Sequence, residues 1–199
     1  GAALALKSRT LLYAASPLYV AFGDINEANK PSDAALWKAA ADAAKAVIDL
    51  NQYQLADNYG DLFKNDFKNK EYIFVRRYTA NTNLERSNFP VSFGGEGGTC
   101  PSQNLVDDYE MLDGTPFDWN RPARAAQPFV NRDKRLEATI LMNMASFKNK
   151  KVETFPGGAD ASPFPNATKT GYYLRKFLNE DVNIQTGGPN KSRYCSISQ

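Results

Sequence analysis

Histidine is absent from this chain altogether. With it goes the usual general base of serine and cysteine hydrolases and the commonest metal ligand. Chemistry built on carboxylate pairs, lysine or tyrosine stays open. Cysteine is nearly as scarce: Cys100 and Cys195 are the only two in 199 residues, and their spacing fits no zinc or redox motif. Pairing in an oxidising compartment and two free thiols are both compatible with that spacing, and free thiols are favoured. No apolar run is long enough to span a bilayer, and no signal peptide begins at Gly1. Charge of one sign is lacking too. The formal net charge is +2 and the basic residues are scattered, whereas phosphate binding needs concentrated positive charge, so nucleic acid is not an expected partner.

What is present is an ordinary globular composition, 42% hydrophobic and 23% charged, in a chain long enough to bury a sizeable core. The missing start methionine, and a helix already under way at the first residue, suggest a piece of a longer protein. Residues 2–15, AALALKSRTLLYAA, are strong helix formers, with Leu4, Leu11, Leu12 and Ala15 at helical spacing and Ser16-Pro17 closing the segment. A second helix is expected to start at PSD, capped by Ser32 or Asp33, and to run through AALWKAAADAAKAVIDL. Its inner face would hold Leu36, Trp37, Ala40, Ala44, Val47 and Ile48. Large residues on one helix over alanines on the next make a helix hairpin of tetratricopeptide type.

Beyond residue 50 the texture turns polar, aromatic and irregular. KEYIFVRRYT at 70–79 predicts a strand, and 80–100 a long loop. Residues 102–111 predict a short helix with Ser102 as cap, Leu105, Val106 and Tyr109 inward, and Asp113-Gly114 ending it. An irregular stretch at 113–131 follows, then a strand or extended segment at RDKRLEATILM. A loop at 149–170 leads to a strand or short helix at TGYYLRKFL. Long irregular segments of this kind are often functional.

Three features bear on chemistry. GGEGG at 94–98 has neither a dinucleotide nor a phosphate-loop spacing, so it is expected to be flexible glycine in a surface loop. Asp107 and Asp108 are adjacent and diverge by about 100° on a helix, which prevents them from flanking one glycosidic bond. A glycosidase would have to use loop carboxylates such as Glu96 and Asp118, which no spacing pairs. The aromatics say more: Phe89, Phe93, Tyr109, Phe117 and Trp119 lie in or beside loops, with Asn88, Glu96, Asn120 and Arg121 among them. A sugar ring has an apolar face edged by hydroxyls, and such a set of rings, amides, carboxylates and guanidinium groups suits it. For each ring taken singly, filling a minor core under the loops is the favoured reading. Trp119 stands apart, because DWNRP is polar and turn-like on both sides.

ALALKSRTLLYAASPLY, the Trp-Lys-Ala-Ala helix, NQYQL…YGDLF, PSQNLVDDYEMLDG, NRDKRLEATI and TGYYLRKFL occur in this order. Together they resemble the middle of the SusD/RagB family of outer-membrane nutrient-binding lipoproteins of Bacteroidetes, up to about residue 178. The resemblance implies a mainly α fold, with tetratricopeptide-like helix pairs, long irregular loops and a few short strands. It implies a single partial domain over 1–199, with a helix-hairpin scaffold at 1–50 and a loop-rich region at 51–199 bearing the glycan site. The implied activity is capture of oligosaccharide at the cell surface, without catalysis or cofactor, and delivery to a TonB-dependent, SusC-like transporter in polysaccharide utilization. The membrane would be reached through an N-terminal lipid anchor outside this segment. No family motif fixes the ligand residues, so loop placement and residue chemistry select Trp119, Phe117, Tyr109 and Phe93 for stacking and Asn88, Glu96 and Arg121 for hydrogen bonding. A helical-repeat module that binds protein alone is the alternative. The chain departs from the family in two places. Lys134 stands where Arg-Asp-Pro-Arg-Leu has proline, and Arg193-Tyr194 is followed by Cys195-Ser196-Ile197-Ser198 rather than an Ala-Glu-rich helix.

Overall fold

Alanine, the best helix former, is abundant in the first fifty residues, and the described part of them includes two helices. The computed structural model describes residues 1–17, 33–63, 69–77 and 81–185, together with the backbone of 195–198. Helix α1 covers Ala2–Ala15 and ends at Ser16 in extended backbone, as the following proline requires. Helix α2 covers Ala34–Ile48; its cap is Asp33, whose carboxylate accepts the Ala35 N–H at 2.8 Å. The alternative cap, Ser32, lies outside the described residues.

The chain divides into two compact units. The first comprises Gly1–Asp57, Phe67–Arg76 and Ser196–Gln199. In it α1 packs on α2, with Ala15, Ala40 and Ala43 buried. The buried stripe of α2 is therefore rotated from the expected one. Ala43 replaces Ala44, while Leu36, Trp37 and Ile48 are exposed. The small alanines take the closest approach and the large residues are left outside it. Strand β1, Phe74–Arg77, is shorter than 70–79, whose last two residues are not described, and it pairs with Cys195–Ser198, numbered β6 below.

The second unit, Asn58–Asp66 and Arg77–Cys195, holds two hydrophobic clusters. Strands β2 (Ile140–Leu141) and β5 (Tyr173–Leu174) pair antiparallel, Leu141 opposite Tyr173. Side chains alternate across a strand. Ile140 and Tyr172 accordingly enter one cluster, with Val106 and Leu136, whereas Leu141 and Tyr173 enter the other, with Phe89 and Phe147. The two residues of β2 thus serve one core each, as do Tyr173 of β5 and Tyr172 just before it. Strands β3 (Ser146–Phe147) and β4 (Lys150–Lys151) form a hairpin. Its turn residues Lys148 and Asn149 both have positive φ, 47° and 63°, the geometry that matches strand twist.

Three expectations need correction here. The 80–100 segment is not a bare loop: it contains α3 (Asn83–Asn88) and a 3-10 turn at Val91–Phe93. GGEGG is not an unpaired surface loop. It folds back on the end of α3, with Glu96 N–H donating to Arg86 O at 2.9 Å and Gly98 N–H to Ser87 O at 2.7 Å. These bonds satisfy helix carbonyls that would otherwise lack partners. Within RDKRLEATILM, KRLEAT is a helix, not a strand or extended segment. After α4 (Gln103–Asp108) and α5 (Pro122–Ala126), α6 runs from Lys134 to Thr139, and only then does the chain extend into β2.

The cap of α6 explains the Arg-Asp-X-Arg pattern. The Asp133 carboxylate accepts the Arg135 N–H at 2.8 Å and is gripped by the Arg135 guanidinium, with Nε at 2.8 Å. The Arg135 guanidinium holds the Asp133 carboxyl below the usual carboxylate range. A carboxyl lowered in the folded state stabilises above its unfolded pKa, about 3.9, and that stability is lost as pH falls through the folded value. Asp133→Ala is expected to cost about 1 kcal/mol in urea unfolding at pH 7, and less as pH falls through the lowered folded pKa and the cap becomes protonated. Asp133→Asn keeps a capping oxygen and should flatten the acid limb of the same curve.

Lys134, the family's proline position, is the first residue of α6, where an N–H has no helical partner. Asp133 has ψ 129°, the conformation a following proline demands. Lys134→Pro is therefore expected to raise stability by about 0.4–1 kcal/mol, read as a higher urea midpoint. Helices dominate the regular structure and strands are short, as the mainly α expectation has it. Among the described residues no helix is long and apolar enough to cross a membrane.

Candidate functional site

Helix α4 is short because its signals are close together. Ser102 caps it, its hydroxyl accepting the Leu105 N–H at 3.2 Å, and the chain turns to extended backbone at Tyr109. Asp113-Gly114 does not end this helix; it makes a later turn, with Gly114 at φ 78° and its N–H on Met111 O at 2.9 Å. Val106 faces inward and Tyr109 packs beside it, but Leu105 is 42% exposed, contrary to expectation. The turn is tightened by Asp113, which accepts the hydroxyl of Thr115 at 2.6 Å. The Thr115 hydroxyl and N–H hold this carboxyl low.

The organiser of the region is Arg132, which is 5% exposed. Its guanidinium donates to the carbonyls of Val106 (2.5 Å), Tyr109 (2.6 Å) and Pro128 (2.7 Å). These are the carbonyls that a helix end and a loop leave unpaired. The same guanidinium lies 4.2 Å from the centroid of the Phe117 ring. One buried cation thus ties the end of α4 to the aromatic loop at 115–121. Burial pulls the Arg132 pKa down from its usual value, with Asp107 and Tyr172 opposing.

Trp119 rests on that base. Its ring meets Phe117 edge-on, centroids 4.9 Å apart. Its indole N–H donates to Asp107 at 3.0 Å, and the other Asp107 oxygen accepts from Gln103 at 2.8 Å. Gln103 in turn accepts the Tyr172 hydroxyl at 2.8 Å. Arg124 on α5 clamps the loop from the other side, donating to Pro116 O at 2.9 Å and to the Thr115 hydroxyl at 3.0 Å. The result is an indole 46% exposed yet fixed at its polar edge. Asp118 and Arg121 sit beside it, 3.7 Å apart, and Asn120 donates to Asp118. A rigid aromatic surface with carboxylate, amide and guanidinium neighbours can stack against an apolar ring face and bind its hydroxyls.

The structure therefore groups Trp119, Phe117 and Arg121, with Tyr109 half-buried behind them against Val106. It places Phe93, Asn88 and Glu96 in another segment. Phe93 packs on the Phe89–Phe147 cluster, edge-on to Phe147 at 5.1 Å. Asn88 is buried and its amide is taken up by the fold: it donates to Leu84 O at 2.9 Å and accepts the Thr99 N–H at 3.0 Å. Glu96 is exposed. Asp107, Gln103, Arg124 and Arg132, which hold the loop, were not legible as such. The one sequence signal is that α4 is short and polar enough to offer side chains sideways. Cys100 is a free thiol, 3.3 Å from Gly97 O; the side chain of Cys195 is outside the described residues. No group of three potential metal ligands occurs among the described residues.

Two solved structures share the fold. A SusD-like carbohydrate-binding protein of Bacteroides fragilis is 26% identical, with a TM-score of 0.67 over 81% of this chain and 33% of its own. A second SusD-like protein of the same organism is 23% identical, with a TM-score of 0.70 over 96% of this chain and 39% of its own. The chain thus spans about a third of the length of these relatives. No match was found among curated protein sequences. The SusD family model matches residues 60–196, which carries the likeness past residue 178 and through the departure after Tyr194. The chain belongs to the SusD family.

Proposed function

We propose that this chain is part of a cell-surface glycan-binding protein that captures oligosaccharide without cleaving it and passes it to a TonB-dependent outer-membrane transporter. Family membership supports the reading, as does the carbohydrate binding attributed to the 26% identical relative. The observation that carries it is Trp119, a half-exposed indole anchored by Asp107 and edged by Phe117. Its rigidity matters, because a stacking surface that is already ordered loses little entropy on binding. Phe117 and Arg121 complete the platform with Tyr109 as a secondary contact; Phe93 and Glu96, in another segment, would meet a ligand away from it. Asn88 acts in this reading through the fold, by bridging Leu84 and Thr99. Anchoring to the membrane by a lipid belongs to the same proposal.

Affinity electrophoresis in gels containing single plant or host polysaccharides tests it, using the protein at its full natural length. One polysaccharide should retard the wild type, and Trp119→Ala should weaken that retention about tenfold or more, the loss of a buried aromatic anchor. Incubation with the same polysaccharide should release no reducing sugar. Equal retention of the variant would remove Trp119 from the site.

A further inference from the structure

Away from the aromatic loop, the second unit has a cleft of about 330 Å³ beside α6 and β5. It shares no lining residue with the Trp119 platform. Lys134 and Glu137 reach it from α6, and Arg175, Lys176, Phe177 and Glu180 from the segment around and after β5. Lys176 is held with unusual firmness. Its ammonium lies 4.0 Å from the Phe63 ring centroid and 5.4 Å from those of Tyr59 and Phe177, and it donates to the Tyr59 hydroxyl at 3.0 Å. Three rings and one hydroxyl fix the cation while leaving it further donors. Phe177 adopts φ 70°, a conformation unfavourable to a bulky residue. Its ring meets Phe63 edge-on at 5.0 Å, and Phe177 is left 37% exposed. Arg175 and Glu180 are paired at 2.8 Å, and the second Glu180 oxygen accepts the Lys148 N–H at 3.1 Å.

We propose that this cleft is a second saccharide-binding site, specific for a neutral sugar unit. Its charges balance: Lys134, Arg175 and Lys176 face Asp61, Glu137 and Glu180. An anion or a cation would gain little there, whereas each sugar hydroxyl donates and accepts at once. The Arg175–Glu180 pair offers a donor beside an acceptor, which is what neighbouring hydroxyls require. Phe177 supplies the apolar face, and the volume falls at the small end of ligand pockets, suited to a chain end rather than a long polymer.

The test uses the protein at its full natural length carrying Trp119→Ala, titrated calorimetrically with maltose, cellobiose, xylobiose, mannobiose and lactose. At least one should bind. Adding Glu137→Ala, an exposed residue whose loss should leave the thermal midpoint in place, should weaken that sugar about tenfold, the worth of a charge-assisted hydrogen bond. Phe177→Gly, which removes the ring and relieves the backbone, should weaken it similarly. The proposal is overturned if no disaccharide binds the Trp119→Ala protein. It is equally overturned if both added substitutions leave affinity within about twofold. Wild-type binding that depends wholly on Trp119 would sink this site alone, whereas absence of all wild-type binding would sink both sites.

Discussion

Gly97→Ala is expected to destabilise the second unit by about 3–5 kcal/mol, a large part of the total stability of a typical domain. Two effects add. Gly97 has φ 53°, which a side chain disfavours, and a Cβ there would stand 2.5 Å from Asn166 O and 2.8 Å from a Tyr173 ring carbon. Neither neighbour can give way. Tyr173 is fully buried, with its hydroxyl donating to Asp160 O at 2.8 Å and accepting the Thr168 N–H at 3.0 Å. Gly95→Ala should behave alike without any φ strain, since its Cβ would meet Phe89 O at 2.2 Å. Gly114 provides the comparison. At φ 78° with nothing within 4 Å, its alanine variant bears the backbone cost alone, about 1–2 kcal/mol. Urea midpoints of the three variants separate close packing from backbone preference.

Arg132→Ala should cost a comparable 3–5 kcal/mol, for a different reason. The three carbonyls of Val106, Tyr109 and Pro128 would lose their partner, and unsatisfied buried acceptors cost about 1–3 kcal/mol each when water cannot reach them. Arg132→Lys retains the charge but not the planar fork, so it should recover only part of the loss. The substitution also reaches the platform, because the guanidinium lies over Phe117 and Phe117 supports Trp119. Trp119 emission should move toward that of indole in water at urea concentrations where the variant is still folded. Unfolding curves recorded by circular dichroism and by fluorescence would then separate.

These two residues also mark where the sequence stopped being readable. Alanine and leucine propensities and Ser16-Pro17 define α1, and Ser102 locates the start of α4, because caps and breakers act within a few residues. Helix α6 was hidden by the β-branched Thr139 and Ile140 that follow it, although Asp133 carried a capping signal. GGEGG looked mobile because glycine allows both freedom and close approach, and only Phe89, Ser87 and Tyr173 decide between them. In the site, Trp119 could be singled out from its polar surroundings. Its anchor could not: an aspartate twelve residues earlier gives no local sign that it will accept an indole N–H. Arg132 lies in a run of charges that looks solvated, and its burial follows from the packing of α4 against α6.

In the protein at its full natural length, a variant with every tryptophan but Trp119 replaced by phenylalanine, Trp37 on α2 among them, leaves Trp119 as the sole indole reporter. Titrating that variant with the retained polysaccharide, or an oligosaccharide cut from it, tests the central claim directly. A sugar stacked on the indole should shift the Trp119 emission to the blue, saturating with the Kd that calorimetry gives for the same protein. Calorimetric binding that leaves the Trp119 emission unchanged throughout would contradict the account.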